Sequence, residues 1–214
     1  MTRLCLLGIF FLQITALAQQ SDLSKSVNNI SEFISSDYFI HLKKETNDLS
    51  LVDTIYEHAV KIKDYDYSEA LLSLTFATIP YKDVPLEIPF THVEINYPLV
   101  SDVDSIFLLK DKELPKNLFY DSPQNSFGDK DKLAHFFGSA FISYNSFFFD
   151  SADLIGYFVE VFEETFVVQG TVDFRDLDVD KMGKLFGILL KNNKNLLPSD
   201  IFLGRSLFNF RYTP

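Results

Sequence analysis

Cysteine occurs once in 214 residues, at Cys5. An intrachain disulfide is therefore excluded, and so are zinc sites built on several thiolates. Tryptophan is absent. Positive charge is scarce: 19 Lys and Arg stand against 30 Asp and Glu, for a formal net charge of −11. That balance argues against nucleic acid as a partner and against electrostatic docking to anionic lipid. Proline is limited to eight residues, but Pro80, Pro85, Pro89 and Pro98 fall together and exclude a helix from that stretch.

What is present is aromatic: 23 Phe and 10 Tyr. Phe-rich packing is expected to dominate the core. The N-terminus reads as an export signal over residues 1–18. Arg3 supplies the positive region, Leu4 to Leu12 the apolar region, and Ala16-Leu17-Ala18 a small-x-small cleavage site before Gln19. Removal of Arg3 leaves the mature chain one charge unit more acidic, and Cys5 goes with it. The remaining length suffices for a core without staples.

The pattern predicts a mainly α protein, a helical bundle with a short extended segment around 86–100. Residues 19–48 read as a polar leader, loosely ordered or a short helix over 19–36, and 49–214 as one helical domain. Within it, Leu51, Ile55, Ala59 and Ile62 repeat at helical spacing behind Ser50 as cap, and Ser68 opens a second run stopped by Pro80. Together these make an αα-hairpin over 49–80. Phe90 to Tyr97 alternates as a strand does. Residues 81–130 are expected to be an extended connector, with Lys110, Asp111, Lys112 and Glu113 on a solvated face. Helices follow over 131–149, 151–169 and 176–191, and a tail over 192–214.

Three polar clusters interrupt these greasy helices. Asp131 and His135 stand one turn apart with Lys132 between them, which would place a carboxylate beside the imidazole and orient it. Glu160, Glu163 and Glu164 crowd onto less than two turns of a Phe- and Val-rich helix. Arg175, Asp176, Asp180, Gly183 and Gly187 follow, the last four on one stripe, where the glycines would let another helix approach closely. Charge on a face that should be apolar is costly unless paired or liganded. The three clusters are therefore expected to build one shared buried centre.

The order of these motifs resembles the VanZ-like superfamily and its YfiM-type periplasmic lipoprotein relatives, over about residues 131–187. Asp131, Lys132 and His135 match the first motif, Glu160 or Glu163 and Glu164 the middle one, and Arg175, Asp176, Gly183 and Gly187 the last. Asp180 stands where that pattern usually carries Asn. The resemblance implies a compact helical bundle near an envelope membrane.

Two functions compete on these residues. The first is a non-catalytic envelope protein whose polar centre is an ion-pair network with Lys132 and Arg175, and whose partner is another envelope protein or a membrane surface. The second is a metal-dependent hydrolase of an envelope ester or phosphoester. In it, His135, Asp131 and Glu160 would be catalytic, and Lys132 and Arg175 would bind substrate. His135, Glu160, Glu163, Glu164, Asp176 and Asp180 would be candidate ligands to Zn, Mn or Mg. Oligomeric state is left open. A membrane hairpin over the 131–169 region is disfavoured by three glutamates at mid-helix.

Overall fold

The computed structural model describes residues 22–88, 93–98, 104–145 and 174–210. Its helices begin at polar side chains that take up the orphan amides of a first turn. Helix α1 covers 22–34. Ser36 then accepts from the Phe39 amide to open α2 (Asp37–Glu45). Asn47 accepts from the Ser50 amide to open α3 (Asp48–Ile62), and Asp66 from the Glu69 amide to open α4 (Tyr67–Thr78). Both of these caps lie upstream of the serines expected from sequence, because Asn and Asp are themselves strong cap residues.

Helix α3 ends in a paired turn of the Schellman type. The Tyr65 amide donates to Val60 O at 2.9 Å and the Asp64 amide to Lys61 O at 3.2 Å. Asp64 (φ 49°) and Tyr65 (φ 66°) both adopt left-handed backbone, where glycine is the usual occupant. Beyond Pro80, β1 (Asp83–Ile88) and β2 (Val93–Pro98) pair antiparallel, with Asp83 opposite Pro98 and Ile88 opposite Val93. Proline is tolerated here because both strands of a two-stranded ribbon are edges. Helices α5 (Asp104–Glu113), α6 (Lys130–Asn145), α7 (Phe174–Leu190) and α8 (Pro198–Phe210) complete the described chain, which is mainly α.

The core is aromatic at its centre. The Phe136 ring lies 5.3 Å from Phe137, 5.3 Å from Phe186 and 4.7 Å from Phe202, and Tyr56 meets Phe186 edge-on at 5.4 Å. Phe136, Phe186 and Phe202 are fully buried, and they join α6, α7 and α8. Leu51, Ile55 and Ala59 bring α3 into the same cluster.

The most extensive helix pairing is α6 on α7, and glycine sets it. A Cβ on Gly183 would overlap the Phe136 carbonyl, and one on Gly187 would overlap Ser143 Oγ and the Ala140 carbonyl. Contacts advance in the same direction on both helices, so α6 and α7 run parallel and this seam is not a hairpin.

Two expectations from sequence need correction. Residues 22–45, taken as a polar leader, form α1 and α2, and bury Val27, Ile30, Ile34 and Phe39. Their polar residues mask a core stripe that runs at helical spacing. The connector contains α5, and two members of its supposed solvated face are buried, Lys110 at 2% exposure and Glu113 at 8%. The Lys110 ammonium donates to the Ile79 carbonyl at 2.8 Å and sits 4.4 Å over the Phe107 ring. Glu113 instead pairs with Lys43 of α2 at 3.2 Å. His58 stacks on Phe33 at 4.0 Å and meets Asn29 Oδ1 at 2.8 Å. Residues 1–18, the 151–169 helix, His92 and the last residues of the 131–149 helix lie outside the described residues.

Two outcomes test these contacts. Gly183→Ala is expected to destabilise the fold by about 1–3 kcal/mol, because a carbonyl on a buried helix cannot yield. Gly204→Ala, with open space at its Cβ, should be neutral or stabilising by up to about 1 kcal/mol. Urea denaturation followed by circular dichroism reads both. Burial holds the Lys110 ammonium down to about 8, against the opposing pull of Asp111. Between that value and the ordinary 10.5, the unfolded chain keeps a proton that the folded chain has released, so stability rises with pH. Wild type measured against Lys110→Met should therefore gain about 3 kcal/mol across that window, and a flat difference would refute the buried site.

Candidate functional site

On α6, Lys132, His135 and Ser139 follow one another at three and four residues and share a face. On α7, Asp176 and Asp180 stand one turn apart and face them. Lys132 Nζ lies 2.8 Å from Asp131 Oδ2 and 2.5 Å from Asp176 Oδ1. His135 Nδ1 lies 3.2 Å from Asp180 Oδ1, and its Nε2 lies 3.6 Å from Asp176 Oδ1. Ser139 Oγ donates to the same Asp180 oxygen at 2.9 Å. The Lys132 and His135 side chains are each only 6% exposed.

Among the described residues, the carboxylates at the imidazole thus come from α7. Asp131, the neighbour suggested by the i,i+4 spacing, is engaged by the ammonium of Lys132. Sharing a helix face brings Cβ atoms together, but it does not choose which partner a carboxylate takes. A cation on the adjacent residue wins here.

The Ser139 hydroxyl and His135 Nδ1 thus share one oxygen of the Asp180 carboxylate. Among the described residues, no group of three or more His, Cys, Asp or Glu side chains is placed to share a metal ion. His135, Asp176 and Asp180 come together, with the Lys132 ammonium against the Asp176 oxygen that a cation would use. Glu160, Glu163 and Glu164 lie outside the described residues. Two carboxylate oxygens are left without a hydrogen-bond partner although buried, Asp131 Oδ1 and Asp176 Oδ1. The second meets Lys132 as an ion pair at 2.5 Å without the angles of a hydrogen bond.

No family model, curated protein or solved structure matches this chain. The site's meaning therefore rests on its geometry.

Arg175 precedes Asp176 and makes contacts of its own. Its Nη2 lies 2.6 Å from Asp129 Oδ1, its Nη1 donates to the Asp121 carbonyl at 3.0 Å, and its guanidinium sits 5.5 Å over the Phe119 ring. Asp129 is 1% exposed, and the Ser122 hydroxyl donates to its other oxygen. Burial raises the Asp129 carboxyl above its ordinary value, while Ser122 and Arg175 pull it back. Both cations assigned to substrate binding from sequence are thus held in ion pairs. Asp129, Ser122 and Ser139 are members that sequence reasoning missed. Only Ser139 had a signal, four residues after His135 on the same face.

Lys132→Met would leave Asp131 and Asp176 as buried charges without their cation, and is expected to cost about 3–5 kcal/mol. Asp180→Asn keeps an oxygen that can accept from Ser139, and should cost no more than about 1 kcal/mol. Equal losses in thermal denaturation would argue against Lys132 as the centre of the network.

Proposed function

We propose that this chain is an exported cell-envelope protein with a structural or interaction role. In this reading the buried polar centre locks the register of two helices and performs no reaction. The observation that carries it is the Lys132 ammonium between Asp131 and Asp176, because it already occupies the place at the Asp176 oxygen that a ligand cation would need. Buried pairs of this kind contribute little net stability, but they penalise any slip that separates them. The export-type N-terminus and the VanZ-like motif order support an envelope setting, with an envelope protein or a membrane surface as partner. No helix among the described residues is long and apolar enough to cross a membrane.

One observation favours a second reading. Asp131 Oδ1 and Asp176 Oδ1 are buried and lack hydrogen-bond partners beside His135, and a divalent cation would satisfy them. A metal-dependent hydrolase of an envelope ester or phosphoester would use Zn, Mn or Mg there as a Lewis acid, with Lys132 displaced from Asp176.

Metal analysis of the purified full chain separates the two. The register-locking role predicts no stoichiometric metal. It also predicts that His135→Ala lowers the melting temperature without changing turnover of ester or phosphoester substrates. One equivalent of zinc or manganese, lost together with hydrolysis in Asp176→Asn, would establish the hydrolase instead.

A further inference from the structure

Sharing no residue with the His135 network, the end of α3, the start of α4 and the turn before α8 enclose a pocket of about 430 Å³. That is a size small-molecule sites commonly have. Three tyrosines line it, with Glu57, Lys61 and Asn195 beside them.

Each tyrosine is held in a way that packing alone does not require. Tyr56 is 3% exposed and its ring is fixed edge-on against Phe186, yet its hydroxyl is buried with no hydrogen-bond partner. A hydroxyl in that state is a standing cost of holding the Tyr56 ring in this position. Burial and the neighbouring Tyr67 and Tyr144 push its ionisation well above the ordinary range, so it remains a neutral donor and acceptor. Tyr65 is 68% exposed and sits second in the left-handed pair that ends α3. The Schellman turn accounts for left-handed backbone at Asp64. A second non-glycine residue in that region is strained, and such strain is concentrated where a side chain must be presented.

The third tyrosine narrows the ligand. Lys194 Nζ lies 4.5 Å from the ring centres of both Tyr67 and Tyr144 and donates to the Tyr144 hydroxyl at 2.6 Å. The cation-binding faces of this cluster are therefore taken by the protein's own ammonium. What stays open is an aromatic face at Tyr65 and a rim of carboxylate, ammonium and amide. That set offers donors and acceptors in mixed order, with no net demand for charge. A polyhydroxylated ring has the complementary character, with C–H bonds to lay on a tyrosine face and hydroxyls at its edge.

We propose that this pocket is a carbohydrate-binding site, sized for one or two hexose units of an oligosaccharide. Tyr65 supplies the stacking platform, and Glu57, Lys61 and Asn195 bond the ring hydroxyls. Lys194 holds Tyr67 and Tyr144 in place beside the buried Tyr56 ring.

The test is saturation-transfer NMR and calorimetric titration of the full chain with maltose, cellobiose and diacetylchitobiose, and with choline as the cationic competitor. At least one disaccharide should bind. Tyr65→Ala and Asn195→Ala should each weaken that binding about tenfold with an unchanged melting temperature, since both side chains are exposed. The proposal is overturned if none of the three sugars shows transfer, or if transfer survives unchanged in Tyr65→Ala. Binding of choline in preference to every sugar also overturns it, and would mean that Lys194 yields its cage to a ligand cation.

Discussion

The close approach of two parallel helix backbones governs this molecule. Gly183 and Gly187 allow α7 to rest directly on the Phe136 and Ala140 carbonyls of α6, closer than any side chain would permit. Glycine inside a helix costs about 1 kcal/mol each against alanine, and the return is a seam with no room to slide. One turn toward the N-termini, the same seam delivers Asp176 and Asp180 to Lys132 and His135. A wider spacing would leave those aspartates short of the lysine and the imidazole. The aromatic hub of Phe136, Phe186 and Phe202 is tight for the same reason, since Phe136 and Phe186 belong to the two helices that the glycines draw together.

The N-terminal end of α7 is clamped from two sides. Asp176 reaches α6 through Lys132, and Arg175, the residue before it, reaches the loop ahead of α6 through Asp129 and the Asp121 carbonyl. Successive helical residues point about 100° apart, so adjacent positions of opposite charge can engage two different partners. Asp129 is buried and would be costly alone. Ser122 and Arg175 between them supply both of its oxygens. The result is a polar scaffold inside an aromatic core, in which Asp131 Oδ1 is buried without a hydrogen-bond partner.

Much of the helical content was legible, because it depends on local spacing. The Leu51, Ile55, Ala59 stripe and the proline cluster after Thr78 locate the hairpin of α3 and α4 to within a few residues. The errors have physical causes. Val27, Ile30 and Ile34 are too few among Ser and Asn to mark a core-facing stripe, yet they meet an apolar surface contributed by distant residues. Lys110 reads as solvated because its neighbours are charged. Its burial depends on the Phe107 ring and the Ile79 carbonyl, the latter at a position 31 residues away. At the candidate site, the types of residue were legible but not their pairing, since proximity along one helix competes with partners on another.

By itself the sequence determined that this chain is acidic, free of intrachain disulfides, aromatic in its core and mainly helical. Those properties follow from composition and short-range period. Only the tertiary structure decided that His135 faces Asp180 and Asp176 while Asp131 goes to Lys132, that Arg175 belongs to Asp129, and that Tyr56, Tyr65 and Tyr67 converge on one pocket. Each of these depends on which helices meet and in which direction they run, a long-range outcome of packing that no local pattern encodes.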